Sequence, residues 1–424
     1  MKKLGKYDIV RTLGKGATAT VFLARDEFGH RDVAIKVASP DLFRDPAKRK
    51  LYAHLFVNEA SLAGKLQHPH ICQIYDAVVD EQVAYIVMEY VEGATLERYC
   101  SPETLLPFER VVELVFKCTR ALNYAFRLGV THRDIKPANI LLTADEEIKI
   151  SDFGAAITAE TDRTVVSGIG SPAYMSPEQV RETTLDHRTD IYSLGVVMYQ
   201  LLTGQMPYQA STNYNVIYQI LNSPLTSPSV LRPDIPPSLA EMVEKAMAKD
   251  RFDRYQTWEA FAQDLAGVFR QRGPAGLKSD FADSEKFSTL RALPFFELFS
   301  DVELWEVVRF SRWEQVPGGK AIMKDGEAGD FFCFLADGEL KVAKNGRTLN
   351  ILTVGDCFGE MAVISGGRHA RGADVVSVDP ARVITISGEA LKRASDTCRM
   401  RFYEGFLQVL ANRLTLANQR LAAF

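Results

Sequence analysis

One stretch constrains this chain more than any other. Residues 131–142 read THRDIKPANILL, packing His132, Arg133, Asp134, Lys136 and Asn139 into eight positions between apolar flanks. Asp134 can accept a hydroxyl proton, and Asn139, five residues on, can ligate a Mg²⁺ ion. Thirteen residues after Asn139, behind the strand-like run EIKI, stands Ser151-Asp152-Phe153-Gly154. Asp152 would be the second ligand. Mg²⁺ takes a few hard oxygens plus phosphate, so one carboxylate, one amide and a nucleotide suffice. Upstream, LGKGATATVF sets Gly14, Lys15 and Gly16 between two β-type runs. Without Cβ atoms, such a strand-turn-strand loop brings backbone N–H groups close to phosphate oxygens. Alone, that loop reads better as a structural hairpin, and the third glycine of G-x-G-x-x-G is replaced by Ala19. One strand later comes Val33-Ala34-Ile35-Lys36. A lysine within an apolar strand is costly to bury without a partner. Glu59, in FVNEASLAGKL on the intervening helical stretch, offers one. In this order and spacing the motifs read together as a phosphate-handling site.

The hydrophobic pattern divides the 424 residues. β-type runs at Tyr7–Leu13, Ala19–Asp26, Asp32–Ala38, Ile71–Val79 and Gln82–Tyr90 alternate with turns, interrupted by helical spacing over Ala47–Leu66. After Leu106, long amphipathic helices follow, such as Pro107–Leu128 and Arg188–Thr203. A small β lobe and a helical lobe thus fill residues 1–270. The run QRGPAGLKSDFADSEKF opens a linker over residues 271–289. From 290 to 388 a short helix, Asp301–Phe310, precedes strands punctuated by Gly318, Gly326, Gly338, Gly346 and Gly355, which suggests a small barrel or sandwich. Residues 389–424 carry Leu391, Phe402, Phe406, Leu407, Leu410, Leu414 and Leu421 on one or two amphipathic helices.

Composition removes several classes of function. The hydrophobic content of 46% and charged content of 25% exclude a disordered or fibrous chain. Fifty Lys and Arg against fifty-four Asp and Glu leave a net charge of -4, which argues against non-specific binding of nucleic acid or of anionic membrane. The MKK start has no apolar stretch behind it, so no signal peptide is expected. No uncharged apolar run approaches the ~18 residues of a membrane span. Six cysteines without a CxxC pair read as reduced core thiols of a cytoplasmic protein.

The segment from Tyr7 to Arg270 resembles a eukaryotic-type serine/threonine protein kinase, in wording closest to bacterial members of that family. The match runs through VAIK, Glu59, HRDIKPAN, DFG, Ser176-Pro177-Glu178, Asp190 with Gly195, and Arg254. The resemblance implies a bilobal α+β fold, ATP and Mg²⁺ (with Mn²⁺ as an alternative) as cofactors, and protein substrates. It implies that Leu13, Val21, Ala34 and Leu141 sandwich adenine beneath the Gly14–Lys15–Gly16 loop. Met88 would be the gatekeeper, with Glu89 to Val91 as the hinge. Lys36 with Glu59 would position the phosphates, Asp134 would be the base, and Lys136 would stabilise the transferred phosphate. Asn139 and Asp152 would hold the metal, Asp190 would brace the catalytic loop, and Glu178 with Arg254 would be a buried structural ion pair. Lys136 and Ser171 imply a Ser/Thr acceptor. Arg133 implies control by activation-loop phosphorylation, expected at Thr164 or Ser167, with Thr161 next.

From about Leu290 to Gly388 the chain resembles a cyclic-nucleotide-binding domain, a small jelly-roll barrel with flanking helices. The cues are LPFFELFSDVEL, GEAGDFFCFLADGELKV, VGDCFGEMAVISGG and ARGADV. The resemblance implies that Glu360 accepts from a ribose hydroxyl and that Arg371 pairs with the cyclic phosphate. Here Ala370 precedes the arginine, Asp374 stands where a Ser or Thr is usual, and Arg368 and His369 are substitute cations in the same loop. Only 36 residues follow, too few for a DNA-binding winged helix. Their apolar face is expected to pack or to act as a lid rather than to dimerise. The reading is a cytoplasmic protein Ser/Thr kinase regulated by its C-terminal domain, against a scaffold or ligand sensor without phosphotransfer.

Overall fold

The computed structural model describes residues 3–16, 19–39, 64–79, 83–153, 157–158, 172–270, 282–364 and 370–422. It divides into two compact units, Met1–Val268 and Phe269–Phe424. The first opens with strands β1 (Lys3–Leu4), β2 (Tyr7–Lys15), β3 (Ala19–Asp26), β4 (Arg31–Ala38), β5 (Ile74–Val79) and β6 (Ala84–Glu89). They form one antiparallel sheet in the order β1-β2-β3-β4-β6-β5. Strand alternation gives its faces different tasks. Val33, Ile35, Val37, Tyr85 and Val87 point into a core with Leu4, Tyr7 and Ala24. The opposite face carries Val21, Ala34, Lys36 and Met88, because Val21 pairs with Lys36 and Ala34 with Met88 across the ladder. One strand thus holds a core face and a face with a single lysine.

Further on, β7 (Gly93–Thr95), β9 (Ile140–Thr143) and β10 (Ile148–Ile150) form a three-stranded sheet, and β8 (Val130–Thr131) pairs with β11 (Ile157–Thr158). Helices Phe108–Arg127 and Arg188–Thr203 pack beside them, the second buried along nearly its whole length. It ends at Gly204, φ +71°, where a Cβ would meet the Ser101–Pro102 backbone within 2.9 Å. Gly195 lets the same helix approach helix Pro237–Ala246, since a Cβ there would lie 2.9 Å from that of Ala246. The helical stretch expected at 47–66 falls mostly outside the described residues, and residues 64–66 are not helical.

The second unit contains β12 (Arg312–Val316), β13 (Ala321–Met323), β14 (Phe331–Asp337), β15 (Leu340–Lys344), β16 (Arg347–Leu352), β17 (Cys357–Phe358), β18 (Asp374–Ser377) and β19 (Ala381–Ser387). They make two four-stranded antiparallel sheets, β12-β19-β14-β17 and β13-β18-β15-β16, as a jelly roll requires. Val316, Met323, Cys333, Leu335, Leu340, Phe358, Val375 and Val383 fill the space between them. Strand β14 turns Phe332 and Phe334 the other way, into an aromatic cluster with Phe295, Phe296, Phe402 and Phe406.

Two expectations change here. Part of the segment read as linker is helix: Asp283–Ala292 buries Phe287 and Leu290. The glycines and proline that suggested a linker end at Gly276, so composition carried the reading too far. The terminal segment forms helices Gly388–Arg393 and Asp396–Ala422, but its apolar residues do not share one face. Phe402 and Phe406 are buried, while Leu407 and Leu414 are more than 60% exposed.

Candidate functional site

The glycine loop is a tight connection. Gly16 N–H donates to the Ala19 carbonyl at 2.8 Å, and Gly14 pairs with Val21 across the ladder. Lys15 is exposed, Leu13 and Val21 are partly so, and Ala34 is buried. At the edge of β6, Glu89 is held from three sides. Its N–H donates to the Gln73 carbonyl, its carboxylate accepts from Gln73 N–H, and Lys149 lies 2.7 Å from its Oε1. Val91, two residues on, has no hydrogen-bond partner for its backbone among the described residues. A hinge awaiting a base would leave those groups open. Leu141, in β9, is half-buried between the fully buried Ile140 and Leu142.

Lys36 reaches across to the second motif: its Nζ lies 2.5 Å from Asp152 Oδ1. Glu59, expected as its partner, lies outside the described residues, as do Thr161, Thr164, Ser167 and Ser171. The Lys36–Asp152 bond went unanticipated because 116 residues separate the two and each had been assigned another partner.

The catalytic loop is fixed by its neighbours. Asp190, 2% exposed, accepts from the backbone N–H of both His132 and Arg133 at 2.7 Å. Burial pushes its carboxyl pKa up, and those two donors work against the shift by favouring the carboxylate. The grip matters because Arg133 sits at φ +67°, a left-handed conformation that costs a non-glycine residue about 1 kcal/mol or more. Asp134 N–H donates to His132 Nδ1, which leaves the ring proton on Nε2 for the Ser151 carbonyl at 3.1 Å. The His132 ring lies 4.5 Å from that of Phe153, so loop and DFG segment share one packed joint.

Around Asp134 the geometry suits proton acceptance. Lys136 Nζ lies 2.6 Å from its Oδ2, and Asn139 Nδ2 donates to its carbonyl at 2.8 Å and to Oδ2 at 3.1 Å. Those two bonds fix the Asn139 amide and leave its Oδ1 without a protein donor. Ser151 N–H donates to the Asn139 carbonyl at 2.9 Å, which sets Asp152 beside it in the chain. No cluster of three or more His, Cys, Asp or Glu side chains that could hold a metal ion occurs among the described residues. The residues present fit a hard divalent ion that takes one amide and one carboxylate from the protein and its remaining oxygens from phosphate and water.

Behind this site Arg254 and Glu178 form a bidentate pair at 2.6 and 2.8 Å, with Thr189 Oγ1 also donating to Glu178. Burial alone would raise the Glu178 carboxyl; the Arg254 hydrogen bonds and charge outweigh it and hold the pKa below the usual value. Ser176 caps the short helix Pro177–Val180, and Gln179 Nε2 donates to the Arg133 carbonyl at 2.8 Å. Gln179 thereby ties the Ser-Pro-Glu segment to the catalytic loop, a role that nothing in the sequence marks.

In the second unit Glu360 and Arg371 are both buried. Arg371 donates to the carbonyls of Gly359 at 2.8 Å and Phe331 at 2.7 Å, with the Phe331 ring 4.6 Å beneath its guanidinium. Gly329 and Gly359 make room for it: a Cβ at either would lie within 2.7 Å of its nitrogens. No carboxylate lies within ion-pair distance of it among the described residues, and burial pulls its pKa down. Asp374 does not enter this pocket, because its carboxylate accepts from Asp325 N–H at 2.9 Å. Glu360 Oε1 accepts from Arg413 of the terminal helix at 2.6 Å, and its Oε2 is buried without a donor. Arg413 was not anticipated. A cavity of about 480 Å³ elsewhere in the roll is lined by Glu314, Lys320, Asp330 and Thr385 among others, but by neither Glu360 nor Arg371. Arg368 and His369 lie outside the described residues.

Comparison with known proteins agrees with both halves. The protein kinase domain family matches residues 7–265, and the cyclic nucleotide-binding domain family matches residues 313–398. The chain is similar to serine/threonine-protein kinase PknB of Mycolicibacterium smegmatis, 38% identical over 297 residues, which cover 68% of this chain and 47% of the relative. It is also similar to serine/threonine-protein kinase PrkC of Bacillus subtilis, 37% identical over 268 residues, covering 62% and 41%. The matched region spans less than half the length of these curated relatives.

Proposed function

Because this chain belongs to the protein kinase family, we propose that it transfers the γ-phosphoryl group of ATP to Ser and Thr hydroxyls of proteins in the cytoplasm. The observation that carries this reading is the arrangement of Asp134 between Lys136 and Asn139, with Lys36 bonded to Asp152. Asp134 takes the proton of the acceptor hydroxyl. Lys136 balances charge on the transferred group, and Lys36 holds the phosphates. Such catalysis is mainly positioning and electrostatics. A divalent metal, Mg²⁺ with Mn²⁺ as the alternative, would be held by Asn139 and Asp152 and would neutralise charge on the phosphates. The Ser/Thr assignment is supported by Lys136 and by the names of the relatives. Autophosphorylation is assigned to Thr164 or Ser167, then Thr161.

The second unit is assigned as a regulatory cyclic-nucleotide site. What supports this is a pair of unmet needs: Arg371 is a buried cation without an anion, and Glu360 keeps an oxygen without a donor. One ligand with a phosphate and a hydroxyl would answer both. A scaffold without phosphotransfer would require a broken catalytic set, whereas Lys36, Asp134, Asn139 and Asp152 are all in place. The test is labelled-phosphate incorporation by the full chain with Mg·ATP, with and without cyclic AMP or cyclic GMP, and mass spectrometry of residues 158–171. Incorporation that responds to a cyclic nucleotide supports the whole reading. Incorporation that ignores both nucleotides rejects the regulatory half, and none under any condition rejects the kinase reading.

A further inference from the structure

The terminal helix places one of its own side chains on the carboxylate assigned above to a ligand. Arg413 donates to Glu360 Oε1 at 2.6 Å and, from its other terminal nitrogen, to the Cys357 carbonyl. The Glu360 side chain is 1% exposed, whereas that of Arg413 is 43% exposed. The guanidinium therefore lies on the solvent side of the carboxylate and covers it. A carboxylate buried this far needs a cation or several donors, and Arg413 is the cation it has.

The two halves of the helix are held differently. Phe402 and Phe406 fix the first half in the aromatic cluster, and Gly405 leaves room for the Phe295 ring, which a Cβ would meet at 2.5 Å. Beyond Phe406 the contact weakens: Leu407, Ala411, Asn412 and Leu414 are exposed. Arg413 is thus the fastening of the second half to the roll.

We propose that Arg413 is a latch: it occupies Glu360 in place of ligand, and it must leave before an anion that also carries a hydroxyl can bridge Arg371 and Glu360. Entry of ligand then frees the second half of the terminal helix, so the state of the pocket is written into the state of the helix. This rests on the reading of Glu360 and Arg371 as a ligand site. If the latched form outweighs the open one about tenfold, it lowers the apparent affinity about tenfold, because only the open fraction binds.

The test uses the full chain and its Arg413→Gln and Arg413→Lys variants. Calorimetry with cyclic AMP and cyclic GMP reads affinity, amide hydrogen exchange over residues 407–422 reads the helix, and thermal unfolding checks folding. Arg413→Gln should bind about tenfold tighter and exchange faster over 407–422 without ligand, with Arg413→Lys between it and wild type. Saturating ligand should speed exchange in wild type to the same rate. Equal affinity in wild type and Arg413→Gln overturns the latch and leaves the ligand site standing. No heat with either nucleotide in any variant rejects the ligand reading instead. In that case unchanged exchange in Arg413→Gln overturns the latch as well, and faster exchange retains it as the fastening of the helix.

Discussion

Replacing Arg254 by Met should unfold the first unit at a much lower temperature while leaving the groups of the phosphotransfer site unaltered. Arg254 has no exposed side-chain surface, and its donors go to both oxygens of Glu178 and to the carbonyls of Ala248, Arg188 and Lys249. Met fills much of the volume but supplies no donor. Glu178 would keep Thr189 as its side-chain donor and remain a buried carboxylate without its cation. Breaking a buried pair from one side costs about 3–5 kcal/mol. For a unit of this size, that corresponds to a fall in Tm on the order of 10 °C. Thermal unfolding by circular dichroism at pH 7 reads it directly. The pH dependence gives a second check. Glu178 has a folded pKa below the usual 4.5, so its stabilising contribution is present above that value and lost as pH falls through the folded pKa. The gap between wild type and Arg254→Met should therefore narrow below about pH 4.5. A Tm within 2 °C of wild type at pH 7, or a gap that does not change on acidification, would refute the argument.

Other expectations follow from the same geometry. Asp190→Asn should leave nucleotide binding nearly intact but lower the rate of phosphate transfer, because the N–H groups that hold Arg133 at positive φ lose a charged acceptor; binding and turnover measured side by side check this. Gly195→Ala should cost about 1–3 kcal/mol by overpacking against Ala246 and Met247, read from denaturant unfolding. Gly405→Leu should drive the Phe295 ring out of the aromatic cluster and loosen the terminal helix, read as faster amide exchange over residues 396–422.

What the sequence disclosed depended on the range of each signal. Ala19–Asp26, Arg188–Thr203 and Asp301–Phe310 were read with the boundaries that the structure has, because alternation, helical spacing and a Ser300 cap are local. The run read as a strand from Ile71 begins instead at Ile74, since Ile71 makes only an isolated bridge to Ile150. The motif residues were legible because HRDIKPAN and DFG compress their chemistry into short strings. Their partners were not. Lys149 on Glu89, Gln179 on Arg133 and Arg413 on Glu360 each join positions 46 to 60 residues apart, and no periodicity marks such a meeting. The terminal helix shows the same limit: its apolar spacing is real, but only the fold decides that Phe406 turns inward and Leu407 outward.

The central claim is that this chain moves phosphate and that Asp134 is the base. The most direct measurement is transfer of labelled γ-phosphate from Mg·ATP to the chain itself and to a Ser/Thr protein substrate, with wild type and Asp134→Asn compared at equal folding and equal ATP binding. The account predicts transfer by wild type and a loss of about 10²–10⁴-fold in the variant, the usual contribution of a positioned base. Equal transfer by both proteins, or none by wild type, would contradict it.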